Sequence, residues 1–200
     1  MEYPNQLHTE REPNEPEATN TTQSGFPDVE PLVYIASLTD YTNGRLHGVW
    51  IDADQPAEDI QGEIDIMLAK SYWQPAEEWA IHDYEAFEPF TLAEYEDLNI
   101  VSVVARGIAE HGRAFAHWAS LVGTDDHMLD QFEDAYRGRW PRLKDYAEEF
   151  LDGMDGLNVE AIPAWLQPYV RIDIDQFARD LETDLLTSAD SDGVHVFQAY

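Results

Sequence analysis

The sequence predicts an α+β fold, laid out as three small units behind an N-terminal tail. Three features predict it. β-Branched and aromatic runs stand near both ends of the 200 residues, helical apolar periods fill the middle, and Gly or Pro marks the joints. The expected divisions are a disordered tail over 1–31, an α+β unit with a three-stranded sheet and a helix over 32–90, a helical unit over 91–139, and a second α+β unit over 140–200. With 44% hydrophobic residues and six Trp, the chain can bury a core despite its charge.

Each element has its own signal. Residues 1–31 carry Pro4, Pro13, Pro16, Pro27 and Pro31 with few apolar residues, the composition of a disordered tail. Residues 32–38 have strand content, Asn43-Gly44 is a hairpin-turn signal, and residues 46–51 return as a second strand. Over 56–69, Ile60, Ile64 and Leu68 share one helical face, with Glu58, Asp59, Glu63 and Asp65 on the other. Residues 78–84 read as a third strand.

From Thr91 onward the helical period dominates, with breaks at Gly112 and Gly123. Thr91 is the expected N-cap of a helix over 92–98. Residues 100–109 are β-branched enough for a strand but read as helix. Phe115 and Trp118 face inward over 113–122. After Thr124 a stripe of Leu129, Phe132 and Tyr136 reads as helix. Pro141 opens a further helix through Met154, residues 163–168 turn, and Ile174, Phe177, Leu181 and Leu185 mark a helix over 173–186. Residues 193–200 read as a final strand.

Charge dominates the composition. There are 41 Asp plus Glu against 11 Lys plus Arg, a formal net charge of −30. Residues 1–31 hold seven of the acids and one Arg, so −24 falls on residues 32–200. Between Lys70 and Arg106 lie eight acids and no Lys or Arg. In the helix over 141–154, Asp145, Glu148, Glu149 and Asp152 occupy i, i+3, i+4 and i+7. Like charges so placed oppose a helix by about 0.2–0.5 kcal/mol per pair, offset in part by Arg142 and Lys144. A polyanion of this kind repels nucleic acid as a direct ligand and suits cations, a salt-rich solvent, or a protein with a basic groove.

Other chemistry is sparse. Cysteines are absent, no basic-then-apolar leader opens the sequence, and no apolar run approaches a membrane span, so a cytoplasmic protein is expected. His82 and Asp83, adjacent in a strand, point to opposite faces. His111 and His117 are six apart, a poor spacing for one helical face, and each His is expected to be structural or solvent-exposed. Asp190-Ser-Asp192-Gly193 hints at a calcium loop, but that alignment puts Ala199 where a bidentate Glu belongs. No catalytic constellation, cofactor motif or metal site emerges, and the expectation is a non-enzyme without a cofactor.

Two readings of the acids remain on residue chemistry. They hold hydration on a salt-adapted protein whose activity is hidden, a reading compatible with two Lys against nine Arg. Or they imitate the phosphates of duplex DNA. B-DNA carries one charge per about 1.7 Å, so 24 charges correspond to roughly 40 Å of duplex, which requires an elongated molecule.

A resemblance favours the second. Val33-Tyr-Ile-Ala-Ser-Leu-Thr-Asp-Tyr-Thr-Asn-Gly-Arg-Leu-His-Gly-Val-Trp50 resembles the opening of the ArdA antirestriction proteins. Glu77-Glu-Trp-Ala-Ile-His-Asp-Tyr-Glu85 is similar to that family's sheet-ending motif, and residues 143–152 to its acidic antirestriction stretch. Leu166-Gln-Pro-Tyr169 and Phe177-Ala-Arg-Asp-Leu181 match as well. The resemblance covers residues 32–200 in order and leaves out the tail.

It implies a curved, elongated homodimer of three small domains per subunit, joined through the third. Such a dimer mimics bent duplex DNA and blocks the DNA-binding groove of type I restriction–modification enzymes, with no direct nucleic acid or membrane partner. Members are commonly carried on mobile elements. Carried over by position, the phosphate mimics would be Asp59 and Glu63; Glu94, Glu96 and Asp97; Asp126, Asp130, Glu133 and Asp134; and Asp145, Glu148, Glu149 and Asp152. Trp165, Tyr169 and Phe197 are the expected dimer contacts.

Overall fold

The computed structural model describes residues 30–153 and 162–199. The expected tail falls outside them except for Glu30 and Pro31, as does Met154 at the end of its helix. Strand β1 (Leu32–Ser37) lies between β2 (Gly48–Asp52) and β3 (Trp79–Glu85), antiparallel to both. Val33 and Ile35 alternate inward, and Ile60, Ile64, Met67 and Leu68 of helix α2 (Ala57–Ala69) are buried with them. The sheet and its helix stand as the hydrophobic pattern requires.

The connection from β1 to β2 is not the simple hairpin turn expected. The chain first makes a helical turn, α1 (Leu38–Thr42), and only then reverses, with Gly44 at φ 78°. Ser37 is the cause: its Oγ accepts the Asp40 N–H at 3.3 Å and donates to Asp40 Oδ2 at 2.8 Å. Ser71, just beyond α2, also donates its hydroxyl to Asp40 Oδ2, and the Tyr72 N–H reaches Oδ1 at 3.4 Å. One buried carboxylate therefore ties α1 to the end of α2.

Burial opposes the Asp40 charge, but the hydroxyls of Ser71 and Ser37 and the Tyr72 N–H outweigh it and hold its pKa below the ordinary 3.8. A depressed carboxylate pKa gives stability that is present above the unfolded value and lost as pH falls through the folded one. Asp40→Asn should thus melt lower than the parent protein at pH 7, with the gap closing as pH falls below about 4. Melting curves from neutral to acid pH check this, and identical curves at pH 7 would refute a charged tie.

Helix α3 (Leu98–His111) begins later than a Thr91 cap implies. Asp97 is the cap, accepting the Asn99 N–H at 2.8 Å, and residues 91–97 form an irregular segment. That segment is held by burial of Leu92 and by the Ile81 N–H donating to the Glu94 carbonyl at 2.9 Å. The β-branched residues 100–109 are helical, since Val101, Val104, Ala105 and Ile108 line one buried face. Gly112, at φ 63°, turns the chain into α4 (Arg113–Val122). Gly107 lets the two helices close: a Cβ there would collide with the Phe115 ring.

Two short helices follow, α5 (Asp126–Leu129) and α6 (Phe132–Ala135), and the apolar stripe ends at Phe132. Tyr136, expected on that stripe, instead opens strand β4 (Tyr136–Trp140), in which Tyr136, Gly138 and Trp140 alternate with two exposed Arg. Helix α7 (Leu143–Gly153) comes next, then a 3-10 turn at Gln167–Tyr169 and α8 (Ile174–Leu181). The helix expected through 186 stops early, because Leu185 and Leu186 begin β5 (Leu185–Asp190), and Leu185 is buried beside Tyr146 and Val196. Strand β6 (Gly193–Gln198) turns back from it, and the second sheet has the order β4-β6-β5, antiparallel throughout.

One apolar core runs from Val33 through Phe87, Phe90 and Leu92 into α3 and α4, and on to Phe197 of β6. A smaller one joins Tyr146, Leu185 and Val196. Trp118 is the hinge between the central helices and the second sheet. It is fully buried, its ring stands 5.2 Å from Phe197, and its Nε1–H donates to the Met128 carbonyl at 2.9 Å.

Candidate acidic surface

Of the thirteen carboxylates expected to act together, eleven are exposed and Glu96 and Asp145 are half-buried; none is in a core. Asp59 and Glu63 lie on the outer face of α2. Glu94, Glu96 and Asp97 lead into α3. Asp126, Asp130, Glu133 and Asp134 follow the short α5–α6 segment, and the last four lie along α7. Every successive stretch of the chain thus brings acid to the surface.

Some of these groups have local structural duties. Asp97 caps α3, the Glu96 carboxylate accepts the Ala93 N–H at 3.1 Å, and Glu63 accepts from Gln55 Nε2 at 2.8 Å. Asp59 sits in the first turn of α2, where the helix dipole favours its charge. Crowding shows at the neighbouring Asp54, whose carboxyl is pushed up by partial burial and by Asp52, with Arg106 pulling the other way.

Helix α7 is the best-framed part of this surface. Its buried side is Tyr146 and Ala147, with the Tyr146 ring 5.6 Å from Trp140 and the Phe150 ring 6.2 Å from Phe177 of α8. Lys144 Nζ meets Asp175 of α8 at 2.8 Å, fixing how the helix sits. Arg142 grips Asp145 with two nitrogens, at 2.6 and 3.0 Å, and this hydrogen bonding lowers the Asp145 pKa. Two nearby cations are thereby occupied. Glu148, Glu149 and Asp152 are exposed and have no ion pair within 4.0 Å among the described residues.

The three expected dimer contacts do not share an environment. Trp165 and Tyr169 are 73% and 77% exposed, beside the partly exposed Leu166 and Ile172. Phe197 is fully buried against Trp118, Phe132 and Tyr136, so it packs this chain's own core instead of offering a contact.

Two of the histidines are brought together by the fold. His117 of α4 and His195 of β6 are buried together, with ring centroids 4.2 Å apart, and both face Asp190 at the end of β5. Spacing in the chain gives no signal for this grouping. It arises from the β5–β6 register, which sets Ser188 opposite His195, and from α4 packing on that hairpin. The Asp190–Gly193 segment, which hinted at a calcium loop, is the turn of that hairpin.

Fold and surface define a folded polyanion with its charge displayed outside its core, a form suited to basic grooves. The chain belongs to the ArdA antirestriction family: the model described as Antirestriction protein (ArdA) matches residues 33–195, from β1 into β6. No curated protein matches it. Membership implies an antirestriction function, exerted as an inhibitor that interacts with restriction enzymes. No helix among the described residues is long and apolar enough to cross a membrane.

Proposed function

We propose that this protein blocks the DNA-binding groove of type I restriction–modification enzymes in the cytoplasm by presenting its carboxylates as a substitute for the phosphates of bent duplex DNA. The observation that carries the reading is the distribution of exposed acid over successive elements from α2 to α7 in an antirestriction family member. On α7, Glu148 to Asp152 sets three carboxylates within about 6 Å of helix rise. That density is of the same order as one charge per about 1.7 Å of duplex. Three small units per subunit, paired two-fold through the third with Trp165 and Tyr169 at the contact, would extend the mimicked length to roughly 80 Å.

The test is competition against labelled duplex for a type I methyltransferase core. The protein should displace the duplex without binding DNA itself, and displacement should weaken steeply as salt rises, because the groove is engaged electrostatically. No displacement at low salt across several type I enzymes, with tight binding of the protein to duplex DNA, would reject the proposal.

A further inference from the structure

We propose that His117, Asp190 and His195 form a binding site for one divalent transition-metal ion of the zinc type, which fastens the β5–β6 hairpin to α4. The three residues come from three elements and converge on one point. Nε2 of His117 and Nε2 of His195 each lie 3.7 Å from Asp190 Oδ2, and the three atoms lie within 4.8 Å of one another. Zinc bonds of about 2.0–2.2 Å in tetrahedral array set their ligand atoms roughly 3.3 Å apart. Binding therefore draws each imidazole nitrogen a few tenths of an ångström toward Oδ2, and brings the two nitrogens, within 4.8 Å of each other, closer by at most about 1.5 Å. It also swings the two rings, now 27° from parallel, toward a common point.

The outer contacts already orient the ligands. His117 Nδ1 lies 2.7 Å from Ser188 Oγ, and His195 Nδ1 lies 3.2 Å from the Tyr136 hydroxyl. With each Nδ1–H donating to its hydroxyl, both Nε2 lone pairs are left free on the Asp190 side, the tautomer that metal-binding imidazoles adopt. Asp190 Oδ1 accepts the Asp192 N–H at 2.8 Å, which leaves Oδ2 for the ion.

A second, independent observation points to a ligand. His195 is 4% exposed, and its Nε2 is a buried atom without a hydrogen-bond partner. Buried polar atoms are rarely left so, and an ion bound there would satisfy it. Two imidazoles with one carboxylate favour a borderline transition ion over Mg²⁺ or Ca²⁺, which prefer all-oxygen shells.

The test must separate this site from diffuse attraction of any dication to a surface this acidic. The full chain, stripped with a chelator, is titrated with Zn²⁺ in high salt and excess Mg²⁺, which occupy the surface carboxylates. One zinc per chain should bind and raise the melting temperature. His195→Gln and Asp190→Asn should each abolish the uptake and the shift; the Asp190 change keeps the shape of the side chain at the end of β5 and guards against a misfolded His195 variant. Tyr136→Phe, which removes only the outer hydroxyl, should weaken zinc about tenfold. No uptake under these conditions, or equal uptake by parent and folded variants, overturns the site.

Discussion

Replacing Glu148, Glu149 and Asp152 with their amides should weaken binding to a type I enzyme roughly 100-fold while leaving the melting temperature almost unchanged. The three carboxylates are exposed and unpaired on a helix whose other face is fastened by Tyr146 and by Lys144 to Asp175. Inside a basic groove each is worth about 1 kcal/mol, and together they account for the loss. Folding gains instead. The 145–148, 145–149, 148–152 and 149–152 repulsions disappear, at about 0.2–0.5 kcal/mol each, and the lost attraction of Glu148 to Arg142 and Lys144 offsets much of that gain. Asp145 is left out because Arg142 holds it with two hydrogen bonds, and removing it would release a cation as well as an anion. Competition with labelled duplex at several salt concentrations gives the dissociation constant and its slope, and the slope should flatten in the triple variant. An unchanged constant, measured near its own value, would remove α7 from the interface.

Trp118→Ala should cost about 3–5 kcal/mol, the range for emptying a fully buried large aromatic site. The indole lies against Phe197 and also satisfies the Met128 carbonyl, so its loss opens a cavity and strands an acceptor. Because this ring joins the central helices to the second sheet, the consequence should spread. Denaturant unfolding followed by far-ultraviolet dichroism and by the remaining Trp fluorescence should give one coincident transition in the parent, displaced to lower denaturant in the variant. Trp118→Phe should lose less, since most of the ring survives. If the variant unfolds at the parent's midpoint, Trp118 does not join these parts.

The first sheet and its helix were legible because each element carries a long, unmixed period: alternation in β1, and i, i+4, i+8 steps at Ile60, Ile64 and Leu68. Helix α3 was legible too, since the spacing of Val101, Val104, Ala105 and Ile108 outweighs β-branching. Two of the misreadings share one origin. Leu129, Phe132 and Tyr136, and Ile174 through Leu185, keep helical spacing across a change of structure, because a strand entering from a helix can place its first apolar residue in phase. The alternation Tyr136-Arg-Gly-Arg-Trp140 was the signal for β4. For the helix over 92–98, Asp97 competes with Thr91 as cap and wins through Asn99. The acidic surface was readable as composition and order, since exposed charge is the ordinary state of Asp and Glu. The buried His117–Asp190–His195 group was not, because it depends on a register and a packing angle that no local pattern encodes.

The strand at the middle of the second sheet is the last one to be made. Neither β4 nor β5 has a neighbour until the ribosome has passed residue 198. At about 5–20 residues per second, β4 waits roughly 3–12 s for its partner. During that interval the first sheet can already be closed, while the Trp140 and Tyr146 side of α7 still lacks Val196. A nascent chain is therefore a polyanion before it is a shaped one. The frame of the acidic helix is begun by α8 and completed only as synthesis reaches β6, and a product interrupted between α8 and β6 would carry nearly all the charge without the strand that completes that frame.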